Sequence, residues 1–193
     1  MNTQNGEIWC QQQLAEEALH QAQEKIDLEM AENTKKLGCQ TCAGVLHSAR
    51  YKRKPRGGPK GDTRFSFCCA TDGCRRRHTP PSVRFLGRRV YAGVVVVLVS
   101  ALSHGLSEER VRRLREALGV DRRTLQRWRQ WWLDTFVRSR FWKEARARFC
   151  PPLDEETLPW SLCQHYGVER RDRLLELLQL LSPLSLSTPI QVM

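Results

Sequence analysis

Eight cysteines in a 193-residue chain constrain its fold more than any other feature, because five of them lie within 36 residues of one another. Cys39 and Cys42 form a C-x-x-C pair; Cys68 and Cys69 follow, and then Cys74. The stretch between residues 39 and 85 has almost no helical periodicity. It contains a turn-rich run at 54–61 and few large apolar residues. Such a segment cannot bury enough surface to hold itself together, and small units of this kind are stapled by a metal or by disulfides.

The compartment separates those two staples. The N-terminal residues carry no basic region followed by an apolar stretch, so no secretory signal is expected. The longest apolar run, 91–102, is shorter than the ~20 residues of a membrane helix. The chain is therefore expected in the cytoplasm, nucleoid-associated and without a membrane partner. Reduced thiols there favour metal ligation over disulfides. A redox C-x-x-C pair would sit at a helix start within an α/β pattern, which Cys39 lacks.

Four thiolates fit a tetrahedral Zn²⁺ site, and the alternation of residues 64–69 puts Phe65, Phe67 and Cys69 on one strand face with Cys68 on the other. The expected ligands are Cys39, Cys42, Cys69 and Cys74. Cys68 could replace Cys69, and His78 could replace Cys74 or Cys69, because the second pair is spaced C-x-x-x-x-C. His47 reads as a strand or loop residue. Cys10, Cys150 and Cys163 read as small apolar residues. A four-thiolate zinc centre carries two negative charges, and Arg75, Arg76 and Arg77 stand where they can offset them and reach phosphate.

Charge points to the partner. The net charge is +11, yet residues 1–34 alone sum to −6, so the rest of the chain carries +17. That balance favours a polyanion such as nucleic acid over an acidic-substrate pocket. The acidic segment places Ala15, Leu19, Ala22, Ile26 and Met30 at helical spacing and reads as a solvated, partly frayed helix. It could also serve as a pairing helix or as an acidic guard over a basic surface.

Three helix-length stretches follow the cysteines: 88–103, 107–118 and 122–137, separated by Gly105 and Gly119. The valine run 94–97 has strand propensity, but its length and position favour a buried first helix. Asp121 is an N-cap candidate for the third stretch, which places Leu125, Trp128, Trp132 and Phe136 on one face. The other face carries Arg122, Arg123, Gln126, Arg127, Arg129 and Gln130. Two helices joined by a short turn, the second one basic, match the requirements of a helix-turn-helix reader of double-stranded DNA. Arg and Gln suit guanine and adenine edges. Lys52, Arg53, Lys54 and Arg56, with Arg75, Arg76 and Arg77, would grip phosphate and make affinity salt-dependent.

Residues 67–82, with an aromatic residue before a Cys pair, then Arg75-Arg76-Arg77-His78 and a Thr-Pro turn, resemble the second knuckle of the zinc ribbon in bacterial insertion-sequence transposases. Residues 105–128 are similar to the helix-turn-helix of those proteins, with a small-residue turn and a late Trp. The resemblance covers roughly 37–137 and implies DNA recognition. The C-x-x-x-x-C spacing departs from the family's C-x-x-C. The catalytic acid trio of the family has no counterpart after Val137, where Asp154, Glu155 and Glu156 read as an exposed turn or helix start, so strand transfer is not implied.

The expected fold is mainly α with a small β zinc ribbon: an acidic helical leader (1–34), the ribbon (35–86), a trihelical helix-turn-helix core (87–137) and a C-terminal helical extension with a frayed end (138–193). The expected function is non-enzymatic, zinc-dependent DNA binding, as a stand-alone regulator or a mobile-element accessory. A second copy of the chain or a mobile-element protein would be a further partner. The alternative is a non-catalytic interaction adaptor using the ribbon and the leucines of 174–181, although such leucines are more often core or dimer interface. RNA binding is a variant of the first reading that lacks a surface aromatic platform. No Gly-rich phosphate loop, H-E-x-x-H or nucleophile elbow supports an enzyme.

Overall fold

A computed structural model describes residues 17–52, 63–86, 91–92, 97, 112 and 121–186. The chain is mainly helical with a small antiparallel sheet. Helix α1 spans Glu17–Leu37. The strands are β1 (Leu46–Ser48), β2 (Tyr51–Lys52), β3 (Thr63–Arg64), β4 (Phe67–Cys69), β5 (Arg77–His78), β6 (Phe85–Leu86) and β7 (Tyr91–Ala92). They form an antiparallel sheet in the order β1-β4-β5 and two hairpins, β2-β3 and β6-β7. Among the described residues the further α-helices are α2 (Arg122–Gln130), α3 (Arg140–Ala145), α4 (Trp160–Tyr166) and α5 (Arg171–Leu181).

From residue 17 onward the acidic leader is anchored rather than solvated. Its buried line is Leu19, Gln23, Asp27 and Ala31, while Ala22, Ile26 and Met30 are half-buried. Apolar periodicity misses that line because two of its four members are polar. Asp27 is 1% exposed and takes hydrogen bonds from the Ser82 hydroxyl (2.5 Å), the Val83 amide (2.7 Å) and Arg84 Nε (2.8 Å). A carboxylate this buried is tolerated only when paired and hydrogen-bonded, as it is here.

The same knot reaches the far end of the chain. Arg64 donates to the Pro80 carbonyl (2.8 Å) and to Ser185 Oγ (3.3 Å), and the Ser82 amide donates to Ser185 Oγ (2.9 Å). Arg84 also reaches the Thr63 carbonyl (3.0 Å), and its guanidinium lies over the Phe65 and Phe85 rings. Three sequence-distant parts are thus joined by polar bonds in a buried setting.

Two apolar clusters flank this knot, and α1 enters both. Leu19 joins the main core with Val83, Val97, Leu125, Trp132 and the α5 leucines, whereas Ala31 joins a smaller one with Cys39, Leu46, Phe65, Phe67 and Cys69. In α5, Leu174, Leu177, Leu178 and Leu181 lie in the main core, and Leu175 and Leu180 are half-buried.

The first and second of the three helix-length stretches lie almost wholly outside the described residues. Val97 and Arg112 are helical, but the expected helix over 88–103 does not begin at 88, because Tyr91 and Ala92 pair with Leu86 and Phe85 as a hairpin. The third stretch is helical from Arg122, with residues 131–136 widened into a π segment. The widening is what the apolar periodicity did not anticipate. It sets Trp131, Trp132 and Phe136 into one aromatic cluster, with centroids 4.7 to 5.6 Å apart. Ser139 then ends the run and caps α3 by accepting from the Trp142 amide. Gly167, at φ +63°, ends α4 in the left-handed conformation that favours glycine. No helix among the described residues is long and apolar enough to cross a membrane.

Candidate metal centre and basic helix

Cys39 lies two residues beyond the end of α1. Gly38, at φ +72°, turns the chain out of the helix, and two bonds close the next turn: Ala43 N–H to the Cys39 carbonyl (2.7 Å) and Cys39 N–H to the Gly44 carbonyl (2.9 Å). The second turn leaves β4 at Cys69. The Cys74 amide donates to the Thr71 carbonyl (3.1 Å), Gly73 takes φ +83°, and the Cys69 amide returns to the Arg76 carbonyl (2.9 Å). In both turns the residue after a cysteine is left-handed although it is not glycine: Ala43 at φ 56° and Arg75 at φ 43°. That conformation costs a non-glycine residue about 1–2 kcal/mol and is held only where the surroundings dictate it.

The two turns bring together Cys39, Cys42, Cys69 and Cys74, whose sulfurs all lie within 4.8 Å of one another. Cys39 and Cys74 are 3.7 Å apart, and Cys42 and Cys69 are 3.4 Å apart. A tetrahedron of 2.3 Å zinc–sulfur bonds has edges of about 3.8 Å, so the cluster fits a four-thiolate ion with small adjustments. The all-sulfur donor set suits a thiophilic metal such as zinc.

Gly44 makes the close approach possible. A Cβ there would stand 2.2 Å from Thr71 Oγ1 and 3.2 Å from the sulfurs of both Cys42 and Cys69. Its position two residues after Cys42 was the only sequence signal for this role.

Backbone amides prepare the sulfurs for a cation. The Thr41 amide is the main influence on Cys39, bringing its thiol down to about 5 against the opposing effect of burial. The Gly44 amide and then the Thr71 hydroxyl lower Cys42. Cys74 is drawn down by the Arg76 amide, but the neighbouring Cys42, burial and the other two sulfurs outweigh it and push the thiol up to about 11. Three cysteines thus receive the amide two residues on, a pattern that stabilises thiolates and their metal bonds.

The structure separates Cys69 from Cys68, two of the alternatives left open by the sequence. Cys69 is fully buried among the sulfurs, while Cys68 points away and lies 3.4 Å from the Arg75 carbonyl. His78 Nε2 sits 3.3 Å from Cys39 Sγ, a hydrogen bond to a sulfur of the cluster. His47 is exposed, opposite Cys68 in the β1–β4 register. Cys163 is buried and Cys150 is exposed; Cys10 lies outside the described residues.

The cationic residues divide as follows. Arg75, Arg76 and Arg77 are exposed, with Arg75 bonded to Asp72 at 2.5 Å and Arg77 over the Tyr51 ring at 5.7 Å. Lys52 is exposed on β2, whereas Arg53, Lys54 and Arg56 lie outside the described residues. In α2, Asp121 Oδ1 accepts from the Thr124 amide (2.7 Å), so the expected N-cap is present. Leu125, Trp128, Trp132 and Phe136 are all buried, as the spacing required. Arg122, Arg123, Gln126, Arg127, Arg129 and Gln130 are exposed. Arg127 is held to its own helix by a 2.8 Å bond to Thr124 Oγ1. The helix and turn that would precede α2 in a helix-turn-helix lie outside the described residues.

Comparisons with protein-family models, with curated proteins and with solved structures gave no match to this chain.

Proposed function

We propose that the protein is a non-enzymatic, zinc-dependent DNA-binding protein that reads the major groove of duplex DNA with α2. It would act as a transposase-like recognition module, a mobile-element accessory or a regulator. The observation that carries this reading is the two-sided character of α2: one face is spent on the core and the other presents arginine and glutamine beyond an Asp121 cap. A helix fixed through its apolar face can offer its polar face to base edges at little entropic cost, and Arg and Gln carry the donor–acceptor pairs those edges need.

Zn²⁺ supplies the staple: bound by Cys39, Cys42, Cys69 and Cys74, it would reinforce the small apolar cluster of the ribbon and fix both knuckles. Arg75, Arg76, Arg77 and Lys52 are exposed and would contact phosphates, which position a protein on DNA without reading sequence. Leu174, Leu177, Leu178 and Leu181 are occupied by the core, which leaves an adaptor the ribbon and the half-buried Leu175 and Leu180.

Selection of a target site from random duplexes, followed by Arg122→Ala/Gln126→Ala, tests the assignment. The expected result is loss of sequence preference, at about 1–3 kcal/mol per base contact removed, with zinc content and helicity intact. Unchanged preference would remove α2 from the reading role.

A further inference from the structure

The Arg127 guanidinium is tied to its own helix, because Nη2 donates to Thr124 Oγ1 at 2.8 Å. The acceptor is itself fixed twice. Thr124 is 3% exposed, so packing holds its rotamer, and its amide donates to the Asp121 cap at 2.7 Å. A line of bonds therefore runs from the cap through Thr124 to the arginine head. One guanidinium N–H is used on Thr124, and the others remain for a ligand. Among the described residues, Arg123 and Gln126 on the same helix have no such tether.

Helical phase places the tied head off the line best aimed at bases. At about 100° per residue, Arg123 and Gln126 stand within roughly 35° of the point opposite the buried Thr124, Leu125 and Trp128, whereas Arg127 stands about 70° from it. A helix lying in the major groove turns the centre of its outer face to the bases and its flanks to the backbones. Gln130 also faces outward, but its amide nitrogen lies 3.5 Å from Asp134 Oδ2, and Asp134 is bridged to Arg138. Arg123 and Arg127 are neighbours four residues apart, and neither has an acid partner among the described residues. Like charges at that spacing disfavour a helix, so an anion at the Arg127 flank relieves a repulsion that the free protein carries.

We propose that Thr124 is a positioning residue that holds Arg127 on the flank of α2 for a phosphate at the rim of the groove, leaving Arg123 and Gln126 to read base edges. The inference rests on the DNA reading above and divides its helix into a grip and a reader. A guanidinium already restrained loses less freedom on meeting its phosphate than a free one does. A fixed phosphate contact also sets the register from which Arg123 and Gln126 reach the bases.

The test is fluorescence anisotropy of the full-length zinc-loaded chain on its selected duplex and on single-base variants of it, read against salt. Arg127→Ala should weaken binding to all these duplexes alike, roughly three- to ten-fold, as for one hydrogen bond made in competition with water. The same variant should lower the salt slope by about one. Gln126→Ala should instead relax preference at one base pair and leave the slope unchanged. Thr124→Val keeps the buried shape but removes the acceptor, and should weaken binding about three-fold across all the duplexes. Thr124→Ser, which keeps the hydroxyl, should bind as the wild type does. In the Arg127→Ala background Thr124→Val should have no further effect, because Thr124 acts through the arginine. In the DNA-free chain, NMR relaxation should show the Arg127 Nε–H more mobile in Thr124→Val, with zinc content unchanged.

Loss of preference at one base pair in Arg127→Ala, with the salt slope intact, would overturn the proposal by making Arg127 a reader. Additive losses in the double variant would do so as well, since Thr124 would then act on the fold and not on the arginine. An Arg127 Nε–H no more mobile in Thr124→Val would remove the tether itself. Failure of the underlying reading looks different: Arg122→Ala/Gln126→Ala then leaves sequence preference unchanged, and this inference falls with it. Where that double variant loses preference but Arg127→Ala changes neither affinity nor slope, the reading stands and the division of α2 is wrong.

Discussion

Asp27 Oδ2 stands 2.8 Å from Arg84 Nε, with both side chains almost wholly removed from solvent, and this pair ties the first helix to the segment behind the cysteine cluster. Glu24 adds a longer contact to the same guanidinium at 3.9 Å. The pair does more than join two elements, because the loop at Ser82 on which it closes also holds Ser185.

Removing one partner should therefore be costly. Asp27→Ala leaves a buried guanidinium and loses the acceptor for the Ser82 hydroxyl and Val83 amide, so a loss of about 3–5 kcal/mol is expected. Chemical denaturation measures it. A change below about 1 kcal/mol would show that the leader is peripheral.

Gly44 gives a second prediction. In Gly44→Ala the new methyl collides with Thr71 Oγ1 and presses on the sulfurs of Cys42 and Cys69, so metal retention should fall against a competing chelator. Thr71→Ala in that background removes the worst clash but not the two sulfur contacts, and should rescue retention only in part. Metal released per chain during chelator titration reports both effects.

Serine substitutions separate the cysteines. Cys69→Ser should lose the ion, while Cys68→Ser, whose sulfur faces the Arg75 carbonyl outside the cluster, should retain it. Elemental analysis of the purified variants decides the point. Retention in Cys69→Ser with loss in Cys68→Ser would reverse the assignment.

Metal uptake should also release protons. With Cys39 down at about 5 and Cys74 up at about 11, at neutral pH the first is already a thiolate and the second still a thiol, so binding must expel the Cys74 proton. Apparent affinity should then rise with pH above neutrality until the Cys74 thiol has titrated, and fall as protons compete below it. Calorimetry in buffers of different ionisation enthalpy counts the protons, and no release at neutral pH would contradict the arrangement.

What the sequence shows plainly is what repeats or alternates. The Phe65-Phe67-Cys69 alternation distinguishes the buried cysteine from Cys68, and the spacing of Leu125, Trp128, Trp132 and Phe136 gives the buried face of α2 and of the π segment that continues it. The Asp121 cap is a local signal, satisfied within a few residues. Asp27 and Arg84 were not legible, because a buried polar pair 57 residues apart has no periodicity and looks like two surface charges. The same holds for Arg64 and Ser185. The Tyr51–Arg77 stack was hidden for a related reason, since it depends on two strands being folded side by side.

The most direct measurement of the central claim is made on one purified sample: metal content by elemental analysis, then duplex DNA binding against salt with and without a chelator. The account predicts one zinc per chain and binding that weakens steeply with salt and is lost on chelation. A chain that binds no zinc, or whose DNA affinity survives removal of the metal, would contradict it.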